Sequence, residues 1–528
     1  MEAVTGAVSA PGGDDSAGRA GLVMVGFMGA GKSSAARAAA AELGVPALDS
    51  DRELERELGE PIESFFDREG EAAFRAREQE LVLRLLAGAD GAVVALGGGA
   101  VGSDAVQRAL ERQVVVHLDV EPDEAWRRSS GKGRPLARDR GRFDELHASR
   151  RATYESVADA SLPPAGRDLM HRALPALVAL RDGGAPAGTR LIWARAASGD
   201  YPIFVGRGLL RSGFFHPRDR RRFAVTDAGV AAAQGEALAA LEAGGAATIG
   251  QGEAAKTLAA AEAVLREMAR GGVDRGDLVV ALGGGVVGDV AGFCAAVYQR
   301  GIGHVQAPTT FVAQFDSAYG GKTGVDLPEG KNYAGAYHQP KAVLVDPDAL
   351  ATLPEEERRA GYAEVIKTAL IAGGDLWARV RRGEPEDERL IEGCLRTKLE
   401  VVAGDERDAS GRQVLNLGHT VGHAIEAATA YGRFRHGEAI ALGLLCALRL
   451  SGRDTLREEV ARLLEARGLA TAVAGVDPDR VLELVQRDKK RSEGRVPFVL
   501  VEAPGSVTPG HAVDPADVRE AIGEVVEP

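Results

Sequence analysis

Short apolar runs alternate with charged stretches of helical pattern over the first third of the chain. The runs LVMVGF from Leu22, GAVVALGGG from Gly91 and QVVVHLDV from Gln113 have strand length, and stretches such as Asp51 to Leu58 lie between them. That alternation predicts a parallel sheet covered by helices over residues 21–162. A second series, LIWARA, RFAVTD, DLVVALGGG, HVQAPT and AVLVDP, predicts a further α/β region over residues 191–346. Beyond Pro347 the pattern changes. GYAEVIKTALIAG and HGEAIALGLLCALRLSG hold apolar residues at helical spacing without proline, so residues 347–528 read as an all-helical subdomain. The pair Pro163 and Pro164, followed by GGAPAG, favours flexible connection and sets a linker at residues 163–190.

A chain of 528 residues has room for two or three cores. Residues 1–20 are rich in Ala, Gly, Asp and Pro, without a basic region leading into an apolar one, and read as a disordered leader. No apolar run approaches the roughly 20 residues that span a bilayer. The net charge of -13 speaks against nucleic acid as a partner, while local Arg and Lys clusters still suit small phosphorylated or carboxylated ligands. Cys294, Cys394 and Cys446 lack CxxC spacing and suit a reducing compartment. The expectation is a cytoplasmic protein with small-molecule substrates and no membrane attachment.

The segment GFMGAGKS, Gly26 to Ser33, follows an apolar strand and opens an Ala-rich stretch, which is the setting of a Walker A loop. Backbone N–H groups around Gly29, Ala30 and Gly31 close on phosphate, Lys32 reaches the transferred group, and the hydroxyls of Ser33 and Ser34 lie beside magnesium. ATP with magnesium is the expected ligand. Further along come Asp49 and Asp51 in LDSD, Arg75 in GEAAFR, the cluster Gly97, Gly98 and Gly99, and a later RPL. In this order, over roughly Leu22 to Ala158, the set resembles shikimate kinase. The resemblance implies that Asp49 supports magnesium, Asp51 holds shikimate hydroxyls and assists proton removal, and Arg75 with Arg150 binds the carboxylate. A guanidinium fork suits that task. It further implies that the glycines admit the acceptor, that Arg134 closes over the phosphates and that Arg127 stacks on adenine. RRATY stands where arginine-x-Pro-x-Tyr is usual, so Arg151 remains open beside Arg150. Read locally, Arg75 also suits a pair with Glu71 or Glu78, and Asp51 a helix cap.

In the second half, GGGVVGD follows a strand, with GExxK at Glu253 to Lys256, PTT at Pro308 to Thr310 and DSAYGGKTGV from Asp316. In HTVGH, His419 and His423 lie one helical turn apart, so spacing alone selects them as a zinc pair, with His436 following in HGE. Over roughly Ala194 to Leu500 this ordered set resembles 3-dehydroquinate synthase. The resemblance implies a different trio, Glu364 of AEVIK with His419 and His436, holding zinc or cobalt, and leaves His423 for phosphate or proton handling. It implies NAD contacts by Asp227, Glu253, Lys256, Gly284, Gly285, Val286 and Asp289, and by Thr309, Thr310, Lys331, Thr352 and Glu357. Asp316 and Lys322 would touch both NAD and substrate. Asn332, Lys367, Lys398, Arg412, Asn416 and Lys489 complete the substrate shell, with Arg300 reaching a phosphate across a homodimer interface.

The function implied is bifunctional. One half phosphorylates shikimate, and the other converts 3-deoxy-D-arabino-heptulosonate 7-phosphate into 3-dehydroquinate and phosphate through a redox-neutral cycle on NAD. Asp326 stands where asparagine is more frequent, which leaves a related sugar-phosphate cyclase open. A zinc alcohol dehydrogenase of the same fold, and a nucleotide-sensing first half without turnover, are the other readings.

Overall fold

The computed structural model describes residues 21–89, 91–130, 139–164, 166–408, 411–486 and 496–528. The leader, Arg134 and Lys489 lie outside the described residues. The chain forms two compact units, Met1–Ala185 and Pro186–Pro528.

In the first unit the expected apolar runs become strands because each can be buried on both faces, as a parallel sheet between helices requires. β1 (Leu22–Val25), β2 (Ala47–Asp49), β3 (Val93–Ala95), β4 (Val114–Leu118) and β5 (Ala160–Leu162) form a parallel sheet of order β2-β3-β1-β4-β5. The expected flexible linker is corrected: most of it is the helix Arg167–Asp182, which buries Met170, Ala173, Leu174, Leu177 and Leu180 and packs on the helix Lys32–Leu43. Those residues recur at helical spacing, a pattern that outweighs the breakers at either end. Pro163, Pro164 and GGAPAG flank the helix, and the break between units falls inside GGAPAG.

The second unit carries β6 (Arg190–Ala194), β7 (Tyr201–Val205), β8 (Arg222–Asp227), β9 (Ala246–Ile249), β10 (Leu278–Gly283) and β11 (Gly303–Pro308). They are followed by the hairpin β12 (Lys322–Leu327) and β13 (Gly330–Tyr337), and by β14 (Ala342–Val345). Its sheet runs β6-β7-β14-β11-β10-β8-β9, parallel except for β6 against β7. The chain leaves β8 toward β9 and leaves β10 toward β11. That reversal opens a crevice at the carboxyl ends of β8 and β10, where Asp227 ends one strand and Gly284 follows the other.

From Glu355 onward helices dominate, but the all-helical expectation is corrected by an antiparallel hairpin, Pro497–Ala503 with Ser506–Ala512. The segment PFVLVEA favours a strand, and Gly505, at φ 88°, supplies the left-handed turn after it.

Candidate functional site

The first site grows out of the end of β1. Gly29 and Gly31 sit at φ 84° and 93°, left-handed conformations that glycine adopts without strain, and the chain enters the helix Lys32–Leu43 directly afterwards. Lys32 Nζ donates to the carbonyls of Gly26 and Phe27 at 2.9 and 3.1 Å. A cleft of about 770 Å³ is lined by Gly29, Gly31, Lys32, Ser33 and Ser34, together with Asp49, Asp51, Arg75, Gly98, Gly99 and Arg150. Ala30 is buried behind the loop. Capping falls to Asp49, whose Oδ1 accepts from the N–H groups of Asp51 and Arg52 at 3.2 and 3.3 Å.

Arg75 makes the local pairs, with buried Glu78 at 2.6 Å and with Glu71 at 3.4 Å, and also faces the cleft. Burial pushes the Glu78 carboxyl up, against the pull of Arg75. A Cβ on Gly99 would overlap the Arg75 guanidinium, and one on Gly97 would overlap Asp51. On the helix Arg140–Val157, Arg150 and Tyr154 lie one turn apart and both donate to Gly98 O, at 3.4 and 2.6 Å. Arg151 occupies the neighbouring face, pairing with Asp119 at 3.2 Å and Glu155 at 3.0 Å. The cleft therefore takes Arg150. It does not take Arg127, which is exposed and pairs with Glu124. The next residue, Arg128, donates to Gly29 O at 3.2 Å and lines the cleft. Sequence reading missed Arg128, for which the doubled arginine was the only signal.

The second site begins at the crevice. Gly284 caps the helix Gly285–Val297, and a Cβ there would stand 2.7 Å from Thr310 Cγ2, so only glycine lets the strand turn this tightly beside β11. The Thr309 N–H donates to Gly283 O at 3.0 Å, and Val286 packs partly against the core behind the loop. Buried Lys256 pairs with Asp289 at 2.5 Å and approaches Glu253 at 3.9 Å. Asp227 caps the helix Ala228–Ala233 through the Val230 N–H at 2.9 Å. Thr352 and Glu357 are engaged elsewhere, with Gln234 at 2.7 Å and Arg435 at 2.8 Å.

Three helices, Glu355–Ala372, His419–Ala428 and His436–Leu450, converge because glycines let their backbones touch. A Cβ on Gly437 would overlap Ala360 O, and one on Gly443 would overlap Gly418 O. This contact brings Glu364 Oε1 to 3.3 Å from Nε2 of both His419 and His436. That oxygen is buried and lacks a well-directed hydrogen bond. One carboxylate and two imidazoles meeting at an unsatisfied oxygen fit a divalent cation such as zinc. The remote ring nitrogens are held too, His419 Nδ1 by Leu417 O at 3.1 Å and His436 Nδ1 by Glu426 Oε2 at 3.2 Å. His423 joins the cluster, its ring centroid 5.2 Å from His419 and 5.6 Å from His436. Spacing selected His419 and His423. His419 and His436 share an approach to Glu364, and all three imidazoles, His423 included, offer a ring nitrogen within 4.8 Å of one another.

Beside the trio, Lys367 pairs with Glu364 at 2.5 Å and reaches Asp316 at 3.6 Å, and Lys398 pairs with Asp316 from the other side. Burial alone would raise both carboxyls. The neighbouring ammonium groups win for Asp316, and Lys367 with His419 wins for Glu364, so both lie below the usual range. Burial lowers Lys398 and outweighs Asp316. Lys322 pairs with Asp408 at 2.7 Å. Arg412 is buried and donates to the carbonyls of Gly320 and Glu406 at 3.1 and 2.7 Å. Asn332, at φ 55°, donates its N–H to Asp326 Oδ1 at 2.7 Å, and Asn416 ends the short helical turn Gly411–Asn416. Arg300 is exposed in a left-handed turn at φ 73°. Sequence reading missed Glu426 and Asp408. Glu426 was visible in principle, since it follows His419 by seven residues and so shares its helix face.

Comparison with known proteins gives family matches described as shikimate kinase over residues 28–168, 3-dehydroquinate synthase N-terminal over 246–360 and 3-dehydroquinate synthase C-terminal over 361–491. A 3-dehydroquinate synthase of Halorhodospira halophila is 43% identical over 355 residues, 64% of this chain and 100% of the relative. Among solved structures, 2-deoxy-scyllo-inosose synthase complexed with carbaglucose-6-phosphate, NAD+ and Co2+ is 27% identical, with 63% of this chain and 100% of that one covered and a TM-score of 0.56. The 2-epi-5-epi-valiolone synthase of Streptomyces hygroscopicus, with NAD+ and Zn2+ bound, is 27% identical, with 61% and 95% covered and a TM-score of 0.55.

Proposed function

The chain belongs to the 3-dehydroquinate synthase family and carries a shikimate kinase domain ahead of that region, and from this premise we propose what its residues do. It is a bifunctional enzyme of the shikimate pathway. The kinase unit extends to Ala185 in this proposal, and Pro186 opens the cyclase unit.

In the kinase cleft, Lys32 exchanges the carbonyls of Gly26 and Phe27 for phosphate oxygens of ATP bound with magnesium. Arg75 and Arg150 hold the shikimate carboxylate, and Asp51 takes the proton of the attacking hydroxyl. Asp49, fixed as a cap, orders the magnesium side, and Arg128 closes on the phosphate loop.

In the cyclase unit, Glu364, His419 and His436 hold zinc or cobalt, and the crevice at Gly284 and Gly285 receives NAD. When bound, these groups supply Lewis acidity at a substrate hydroxyl and a reversible hydride acceptor. Lys367 and Lys398 place positive charge over the substrate carboxylate and phosphate, Asp316 orients both ammonium groups, and His423 handles the phosphate proton. The observation that carries this reading is the convergence of His419 and His436 on one unsatisfied oxygen of Glu364.

Dehydroquinate synthesis is preferred to another cyclisation because identity is 43% to the first relative and 27% to the two other cyclases. Asp326 does not disturb this preference, since its task of accepting from the Asn332 N–H at 2.7 Å is one an asparagine oxygen performs equally. Copies of the chain pair through the cyclase unit in this proposal, where Val297, Tyr333 and Tyr337 expose apolar surface. Among the described residues no helix is long and apolar enough to cross a membrane. The three buried thiols suit the cytoplasm.

Paired assays on the purified full-length chain test this function. ATP-dependent phosphorylation of shikimate is expected, together with NAD-dependent phosphate release from the heptulosonate phosphate that chelation abolishes and zinc restores. Net accumulation of NADH would make the second half a dehydrogenase, and tight ATP binding without phosphorylated product would make the first half a sensor.

A further inference from the structure

Glu426 has no place in the roles above, yet it is among the most deeply enclosed carboxylates of the second unit, with a side chain 3% exposed. It uses both oxygens. Oε2 faces His436 Nδ1 at 3.2 Å, and Oε1 faces Lys331 Nζ on β13 at 3.2 Å. Lys331 in turn stands 3.7 Å from Glu253, and Glu253 stands 3.9 Å from Lys256, which pairs with Asp289 at 2.5 Å. From Glu426 onward the charges alternate in sign as far as Asp289. The series starts at a proposed metal ligand, crosses the hairpin, and ends on the helix that begins at Gly285.

We propose that Glu426 is a positioning residue that orients His436 for the metal and, through Lys331 and Glu253, couples metal binding to dinucleotide binding. The proposal rests on the metal and NAD reading of this unit. With Nδ1–H given to Glu426, the lone pair of His436 Nε2 points into the trio, where it already stands 3.3 Å from Glu364. His419 is oriented by a neutral backbone carbonyl instead, so of the two imidazoles only His436 is tied to a charge that leads elsewhere.

Geometry fixes the other end as well. The Tyr431 N–H donates to Glu426 O at 2.8 Å, Tyr431 and Ala430 occupy left-handed conformations at φ 56° and 52°, and the Tyr431 ring lies 4.7 Å from Lys331 Nζ. Lys331 is thus held between a carboxylate and a ring of the helical part and a carboxylate of the dinucleotide part. Its side chain is 27% exposed, so ordering it has a cost that either ligand can meet for both. Such coupling acts equally in both directions.

Zinc affinity, measured on the full-length chain by competition with a chromophoric chelator with and without NAD, tests the proposal. In the wild type NAD tightens zinc binding by about 5-fold or more, within the usual span of coupling between sites. Glu426→Gln keeps an acceptor for His436 but loses the charge that holds Lys331, so the NAD effect falls to about 1-fold while zinc still binds. Glu426→Ala loses both and weakens zinc by about 10–100-fold. A wild-type chain whose zinc affinity ignores NAD, or a Gln variant that keeps the full NAD effect, overturns the coupling. An Ala variant with wild-type zinc affinity overturns the positioning role. If Ala fails to fold by circular dichroism, the isosteric Gln variant decides the coupling and its zinc affinity is compared with that of His436→Ala. Failure of the wild type to bind zinc overturns the underlying metal reading instead.

Discussion

The kinase cleft and the pocket around Glu364 both gather carboxylates and cations, but at different depths. In the cleft, Arg75 is 29% exposed and pairs with Glu78, three residues along its own helix. In the second unit, Lys367 is 2% exposed and Glu364 1%, and Asp316, Lys398 and His419 reach them from other segments. Partly solvated charges lose less when changed one at a time, although removing Arg75 leaves buried Glu78 without its partner. Buried ones hold each other, so removing one leaves its partner uncompensated. The first site is therefore a surface built on a fold, and the second is part of the fold itself.

The largest expected effect follows from that contrast. Lys367→Met should destabilise the second unit by about 3–5 kcal/mol, because Glu364 and Asp316 lose their shared cation inside the protein. Chemical denaturation followed by tryptophan fluorescence, to which Trp193 and Trp377 of the second unit contribute alongside Trp126 of the first, reads it. A loss near zero in the second unit's transition would erase the contrast. Gly437→Ala comes next, at about 1–3 kcal/mol or more, since its Cβ meets the backbone of Ala360 and has no flexible neighbour to displace. Zinc affinity should fall with it, because the same contact carries His436 to Glu364.

Asp316→Asn should cost about 1–3 kcal/mol near neutrality. Its carboxyl lies below the usual range in the folded chain, so the stabilisation is present above the unfolded value of about 3.9 and is lost as pH falls through the folded one. The gap between wild type and variant should close on acidification, and a gap that persists at the acid end would refute the assignment. The smallest effect belongs to the cleft. Gly99→Ala pushes on the movable end of Arg75, so KM for shikimate should rise by about 10-fold with the unfolding midpoint unchanged.

How much of this was legible follows the same division. The P-loop, LDSD and the glycine cluster are local, and the structure draws Gly29, Lys32, Asp49, Asp51, Gly98 and Gly99 from them into one cleft. Arg150 and Arg151 could not be separated by composition, but Tyr154 lies one turn beyond Arg150 and both meet Gly98. The helix Arg167–Asp182 was hidden because prolines and glycines at its ends drew attention from the apolar spacing within it. In the second unit, HTVGH and the Gly-rich turn were legible, and family resemblance supplied Glu364, 55 residues before His419. The salt links of Glu426 to Lys331 and of Asp408 to Lys322 join positions about 90 residues apart, and no spacing rule reaches across such a gap.

The central claim is that one chain holds two complete and separate active sites, and reciprocal lesions test it most directly. Lys32→Ala and Glu364→Gln, each made in the full-length chain and assayed for both reactions, should each abolish one activity, by about 100-fold or more, and leave the other within about 2-fold. Loss of both activities in either variant would contradict the account.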